Sequence, residues 1–92
     1  MQFTKQLHAG IQRGEITCSI RIWQSPRVTP GHRYRSSVGE IEVESIQQIE
    51  LEDISPALAR QSGFASVDEL LKIAQHGRGR NVYLVRFHYV GD

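Results

Sequence analysis

The sequence predicts an α+β domain in which a small, partly closed β-barrel is flanked by short helices. Three observations lead there. A helix-period apolar stripe opens the chain, two stretches alternate as strands do, and two helix starts stand in tandem before the last strand. This order is not a repeating βαβ unit, and strands separated by irregular turns favour a barrel over a layered parallel sheet.

Phe3, Leu7 and Ile11 recur at four-residue spacing, which predicts a helix of about three turns ended by Gly14. From Thr17 to Trp23 the alternation is strict. Cys18, Ile20 and Ile22 share the face expected in the core, and Thr17, Ser19, Arg21 and Trp23 share the polar face. Residues 24 to 32 hold Pro26, Pro30 and Gly31 and read as a loop, leading into a short strand around His32 to Arg35. Glu40 to Leu51 alternates again with Ile41, Val43, Ile49 and Leu51 in phase. Ile46 breaks that phase, which marks a bulge or bend, and a long bent strand suits a small barrel.

Ser55-Pro56 is the cap-then-proline order of a helix start, and Gly63 closes that helix before Phe64. Ser66-Val67-Asp68-Glu69 matches a capping box opening a second helix with Leu70, Leu71, Ile73 and Ala74. The glycine-rich loop His76 to Arg80 follows, and the β-branched and aromatic run from Asn81 to Val90 reads as the closing strand. With 92 residues there is room for one domain spanning 1–92.

Composition narrows the function. Hydrophobic residues at 39% and charged residues at 23% fit a globular chain and argue against disorder. The N-terminus lacks an apolar signal region, and no run approaches the roughly 20 apolar residues of a membrane helix, so a cytoplasmic protein with no membrane partner is expected. Cys18 is the lone cysteine. His8, His32, His76 and His88 lie too far apart for a local zinc motif, so neither metal nor cofactor is expected.

The net charge of +1 hides an asymmetry. Arg13, Arg21, Arg27, Arg33 and Arg35 face one acid between residues 13 and 35, whereas residues 40 to 53 carry acids and no base. Lys72, Arg78, Arg80 and Arg86 form a second basic stretch without acids. Such clusters attract phosphate. Arg21 offers a fixed fork of donors suited to a ligand, or to an ion pair with one of the glutamates. Thr17 and Ser19 can hydrogen-bond a base edge or a phosphate, and Trp23 can stack on a base or fill part of the core. Arg78 and Arg80 with Asn81 would meet phosphate at the cleft mouth, with Lys5 and Arg13 as an outer rim. Glu40, Glu42 and Glu44 would repel nucleic acid and should face away.

The helix ending Ile11 to Gly14 with its strand to Arg21, Ile41 to Ser45 through Asp53-Ile54, Gly63-Phe64 with Asp68-Glu69-Leu70, and Val82 to Phe87 together resemble an ASCH domain. That family, named for homology to the activating signal cointegrator, belongs to the PUA-like superfamily. The resemblance covers the whole chain. It implies a PUA-like barrel with a cleft beside the first helix and first strand, where RNA or a nucleotide-like ligand binds.

The family signature resembles G-x-K-x-x-E-x-R, of which Gly14 and Arg21 are retained here. Small bacterial members similar to this chain include amidohydrolases of acetylated cytidine that use a lysine, a hydroxyl residue and a glutamate. Ser19 stands at the hydroxyl position, Ile16 at the lysine position, and no acid lies between Gln61 and Gly63. Isoleucine can neither activate a hydroxyl nor steady an oxyanion. The reading is therefore an RNA- or nucleotide-binding module with no assigned catalytic residue. The alternative is a hydrolase of amidohydrolase or ribonuclease type.

Overall fold

The computed structural model describes residues 1–74 and 79–91. A 3₁₀ turn at Lys5–Leu7 runs into α1 (His8–Gln12), followed by β1 (Cys18–Trp23), β2 (Arg33–Ser36) and β3 (Gly39–Ile49). A second 3₁₀ turn (Leu51–Asp53), α2 (Pro56–Gln61), α3 (Val67–Ala74) and β4 (Asn81–Gly91) complete the order. The class is α+β as expected.

The strands form one antiparallel sheet in the order β1-β4-β3-β2. The last strand in sequence takes an interior place, which leaves β1 and β2 at opposite edges. Among the described residues those edges do not meet, so the sheet is open and the partly closed barrel is not formed. Closure demands a coordinated tilt and stagger around the whole ring, and a four-residue β2 pairs with β3 alone.

Helices cover one face of the sheet. Phe3, Leu7 and Ile11 pack there with Cys18, Ile20, Ile22, Leu70, Leu84 and Phe87. On the other face Val43, Tyr83 and Val85 are covered by Val28 from the 24–32 loop, with Trp23, Tyr34 and Ile46 at the margins. The predicted bulge lies in β3 between Val43 and Ser45. It adds Glu44 to the strand, so Val43 and Ile46 share one cluster despite their odd spacing, while Ile49 packs on the other. The strand stops at Ile49. Leu51, expected in phase with the core, is 53% exposed, because Glu50 and Asp53 cap the 3₁₀ turn instead.

The opening helix is shorter than the stripe suggested. Phe3 precedes it outside any helix and donates its N–H to Ser37 Oγ at 3.1 Å, although Phe3, Leu7 and Ile11 are all buried. Thr4 makes no side-chain cap, and Gly10 within so short a helix lowers its propensity. At the second helix Ser55 Oγ accepts from the Leu58 N–H at 3.1 Å, as a cap should. Ser66 Oγ likewise accepts from Glu69 N–H at 3.1 Å, but the Glu69 carboxylate reaches past the cap to Ala65 N–H and Gln6 Nε2. Half of the box is thus used to tie α3 to the N-terminal turn.

Gly63 holds φ +94°, and a Cβ there would lie 2.5 Å from Leu7 Cδ2 and 2.7 Å from Ile16 Cδ1. Backbone strain and overpacking therefore act together. Gly63→Ala is expected to destabilise the fold by about 2–3 kcal/mol in urea unfolding. A loss under about 0.5 kcal/mol would mean that Leu7 and Ile16 yield freely.

Candidate nucleotide-binding cleft

A cavity of about 240 Å³ lies along β1, walled by Phe3, Thr4 and Leu7 on one side and by Phe64, Ile73 and Ala74 on the other. Its floor is Ser19 through Trp23. The two walls are held by the Gln6–Glu69 bond between the N-terminal turn and α3, and by Leu7 packed against Gly63.

Arg21 is the polar centre. Its Nε donates to Ser19 Oγ at 2.9 Å, its Nη2 donates to the Gln2 carbonyl at 2.6 Å, and its Cζ stands 5.0 Å above the Phe3 ring. Phe3 is seated in turn by Phe87, ring to ring at 5.3 Å. Burial pushes the guanidinium down to about 10 from its ordinary range. Burial, and then the charge of Arg21, lowers the Met1 ammonium as well. The ion pairs among the described residues are Arg13–Glu15, Arg33 with Glu40 and Glu42, and the His88–Glu44 contact. None involves Arg21, so the pairing with a glutamate weighed from the sequence is not made.

The expected residues divide. Ser19, Arg21 and Trp23 come together, with Trp23 lining the cavity while its ring packs 6.0 Å from Tyr83 on the second face. Thr17 is exposed and outside the cavity, where its carbonyl accepts the Phe87 N–H. Arg80 borders a separate depression with Glu50 and Glu52, whose charge opposes phosphate at that place. Arg78 lies outside the described residues. Arg13 is engaged by Glu15 at 3.3 Å, and Lys5 is solvated. The Glu40, Glu42 and Glu44 row sits on β3, with β4 between it and β1.

Sequence reasoning missed the wall residues Phe3, Thr4, Phe64, Ile73 and Ala74. Phe3 carried a signal, but as part of a core stripe. Gly79 lies close against the backbone at the end of β1: a Cβ there would stand 2.5 Å from the Trp23 carbonyl carbon, and Asn81 Nδ2 donates to the Gln24 carbonyl at 2.8 Å.

Thr4 Oγ1 is buried without a hydrogen-bond partner among the described residues. An unsatisfied hydroxyl costs roughly 1–3 kcal/mol, so Thr4→Val is expected to raise stability by about 1 kcal/mol in urea unfolding. A loss of similar size would show that the hydroxyl is satisfied in solution.

No protein-family model matches the chain, and no curated protein matches it. Among solved structures the chain is similar to one described as hypothetical protein PH0355, with a TM-score of 0.74 and 14% identity. The likeness covers 98% of this chain and 96% of that one. At that identity it establishes the α+β architecture over the whole length and leaves function to the site itself.

Proposed function

We propose that this chain is an RNA- or nucleotide-binding module of the ASCH type in the PUA-like superfamily, acting in the cytoplasm and taking one nucleotide into the cavity along β1. The observation that carries this reading is Arg21, a desolvated guanidinium in an apolar cleft that touches two neutral acceptors and no carboxylate. A buried cation is costly unless something compensates it, and a phosphate matches the geometry of its remaining donors. Phe3 and Trp23 supply aromatic surface beside it, as sites for bases do.

Binding is favoured over hydrolysis by the surroundings of Ser19. Its oxygen accepts from Arg21, and no base among the described residues bonds to it. Ile16, at the family's lysine position, instead packs between Gly10 and Gly63.

Fluorescence anisotropy with labelled single-stranded RNA across a salt series tests the reading. One guanidinium in the cavity predicts a log-log slope of about −0.7 on single-stranded RNA. Thr17→Ala and Arg80→Ala are expected to leave affinity and slope unchanged, since both residues stand outside the cavity. Wild-type protein that binds neither RNA nor nucleoside monophosphates at low salt would overturn the reading. Hydrolysis of acetylated cytidine that vanishes in Ser19→Ala would replace it with the hydrolase.

A further inference from the structure

The floor of the cavity is unbroken from Ser19 to Trp23. Side chains alternate across a strand, so five consecutive residues border one hollow only where it runs along the strand's edge. β1 is an edge strand, with β4 on its inner side and no strand on its outer side among the described residues.

The register tells which main-chain groups face outward. Thr17 C=O accepts from Phe87 N–H at 2.9 Å, and the ladder continues without a shift from Cys18↔Arg86 to Trp23↔Asn81. Hydrogen-bonded pairs recur at every second position of an antiparallel ladder. They are therefore Ser19↔Val85, Arg21↔Tyr83 and Trp23↔Asn81. The N–H and C=O of Cys18, Ile20 and Ile22 point the other way, and Ile20 and Ile22 are among the residues that line the cavity. Their side chains belong to the helix-covered core, and their outward main-chain groups have no strand beside them among the described residues.

We infer that the outward N–H and C=O groups of Ile20 and Ile22 read the hydrogen-bonding edge of a nucleobase, while Arg21 holds the phosphate. This rests on the nucleotide reading above. An extended residue presents a donor beside an acceptor, and every unmodified base carries such a complementary pair on an edge. The volume of about 240 Å³ is below the roughly 300–1,000 Å³ of drug-sized sites, which suits a single base. Base choice accordingly lies in the main chain, and not in the Thr17 and Ser19 hydroxyls.

The test is amide NMR with the four common nucleoside monophosphates, ribose 5-phosphate and a capped Thr-Val-Thr-Val-Thr peptide as probes. The best-binding nucleotide is expected to shift the Ile20 and Ile22 amides, leave Cys18 in place, and bind at least about tenfold tighter than ribose 5-phosphate. Replacing the Ile20 or Ile22 amide by an ester, through semisynthesis, should weaken that nucleotide about three- to tenfold with the fold kept, because the N–H removed points away from β4 and the Ser19 or Arg21 carbonyl in the ladder is only weakened as an acceptor. Equal binding of ribose 5-phosphate, or bound nucleotide without movement of either amide, overturns the base reading while keeping the anion site. A peptide that perturbs Cys18, Ile20 and Ile22 together and displaces the nucleotide assigns the edge to strand addition and overturns it. Binding of no nucleotide and no RNA removes both readings.

Discussion

Phe87→Ala is expected to lower stability by about 3–5 kcal/mol, enough to bring a small domain close to unfolding. Phe87 is fully buried on β4, the strand that joins β1 to β3. Truncation would leave a void beneath the helices that the rigid sheet cannot collapse to fill. It would also unseat Phe3, whose ring stands 5.3 Å away and carries the Arg21 guanidinium on its other contact. Urea denaturation followed by circular dichroism should show the shift, with Phe87→Leu losing only about 1–1.5 kcal/mol because most of the volume is kept. An alanine variant within about 1 kcal/mol of wild type would show that Phe87 is not the centre of this core.

Features set by neighbours in the chain were legible. Strict alternation placed Cys18, Ile20 and Ile22 inside, the Ser55-Pro56 pair began its helix, and the misfit of Ile46 marked the bulge near Glu44. Each depends on a period or a cap within a few residues. The open sheet was not legible, because the insertion of β4 between β1 and β3 is a long-range pairing that alternation alone does not specify. Leu51 had the right phase but came after the point where Glu50 and Asp53 end the strand.

The site was half legible for the same reason. Ser19, Arg21 and Trp23 follow from local alternation, but Thr17 shares their phase and lies beyond the end of the hollow. Which end of a polar face meets a cleft depends on what packs against it, here Phe3, Phe64 and α3. Phe3 reads as core by spacing and is core, yet it also supports Arg21. Arg80, expected from its glycine-rich loop to stand at the cleft mouth, lines a separate depression with Glu50 and Glu52.

Arg21→Met is expected to leave stability within about 1 kcal/mol of wild type while weakening nucleotide or RNA binding about a hundredfold. The two halves have separate causes. In the absence of ligand the guanidinium is desolvated without a carboxylate, so its charge opposes folding, and the lowered value near 10 expresses that cost. The sign follows from proton counting: between about 10 and the ordinary arginine range the unfolded chain holds the proton that the folded chain has lost, so this group adds stability as pH rises and carries its full penalty at neutral pH. Offsetting the penalty are the bonds to Ser19 Oγ and the Gln2 carbonyl and the contact with Phe3. Methionine loses both the penalty and the bonds and keeps an apolar stem on the Phe3 ring, so the net change is small. Binding has no such compensation, because the charge-assisted contact to phosphate proposed for Arg21 would disappear with nothing to replace it. Paired measurements decide the point: urea unfolding for stability and anisotropy at fixed low salt for affinity. A variant that loses several kcal/mol would make Arg21 a structural residue, and one that keeps wild-type affinity would take the ligand out of this cavity.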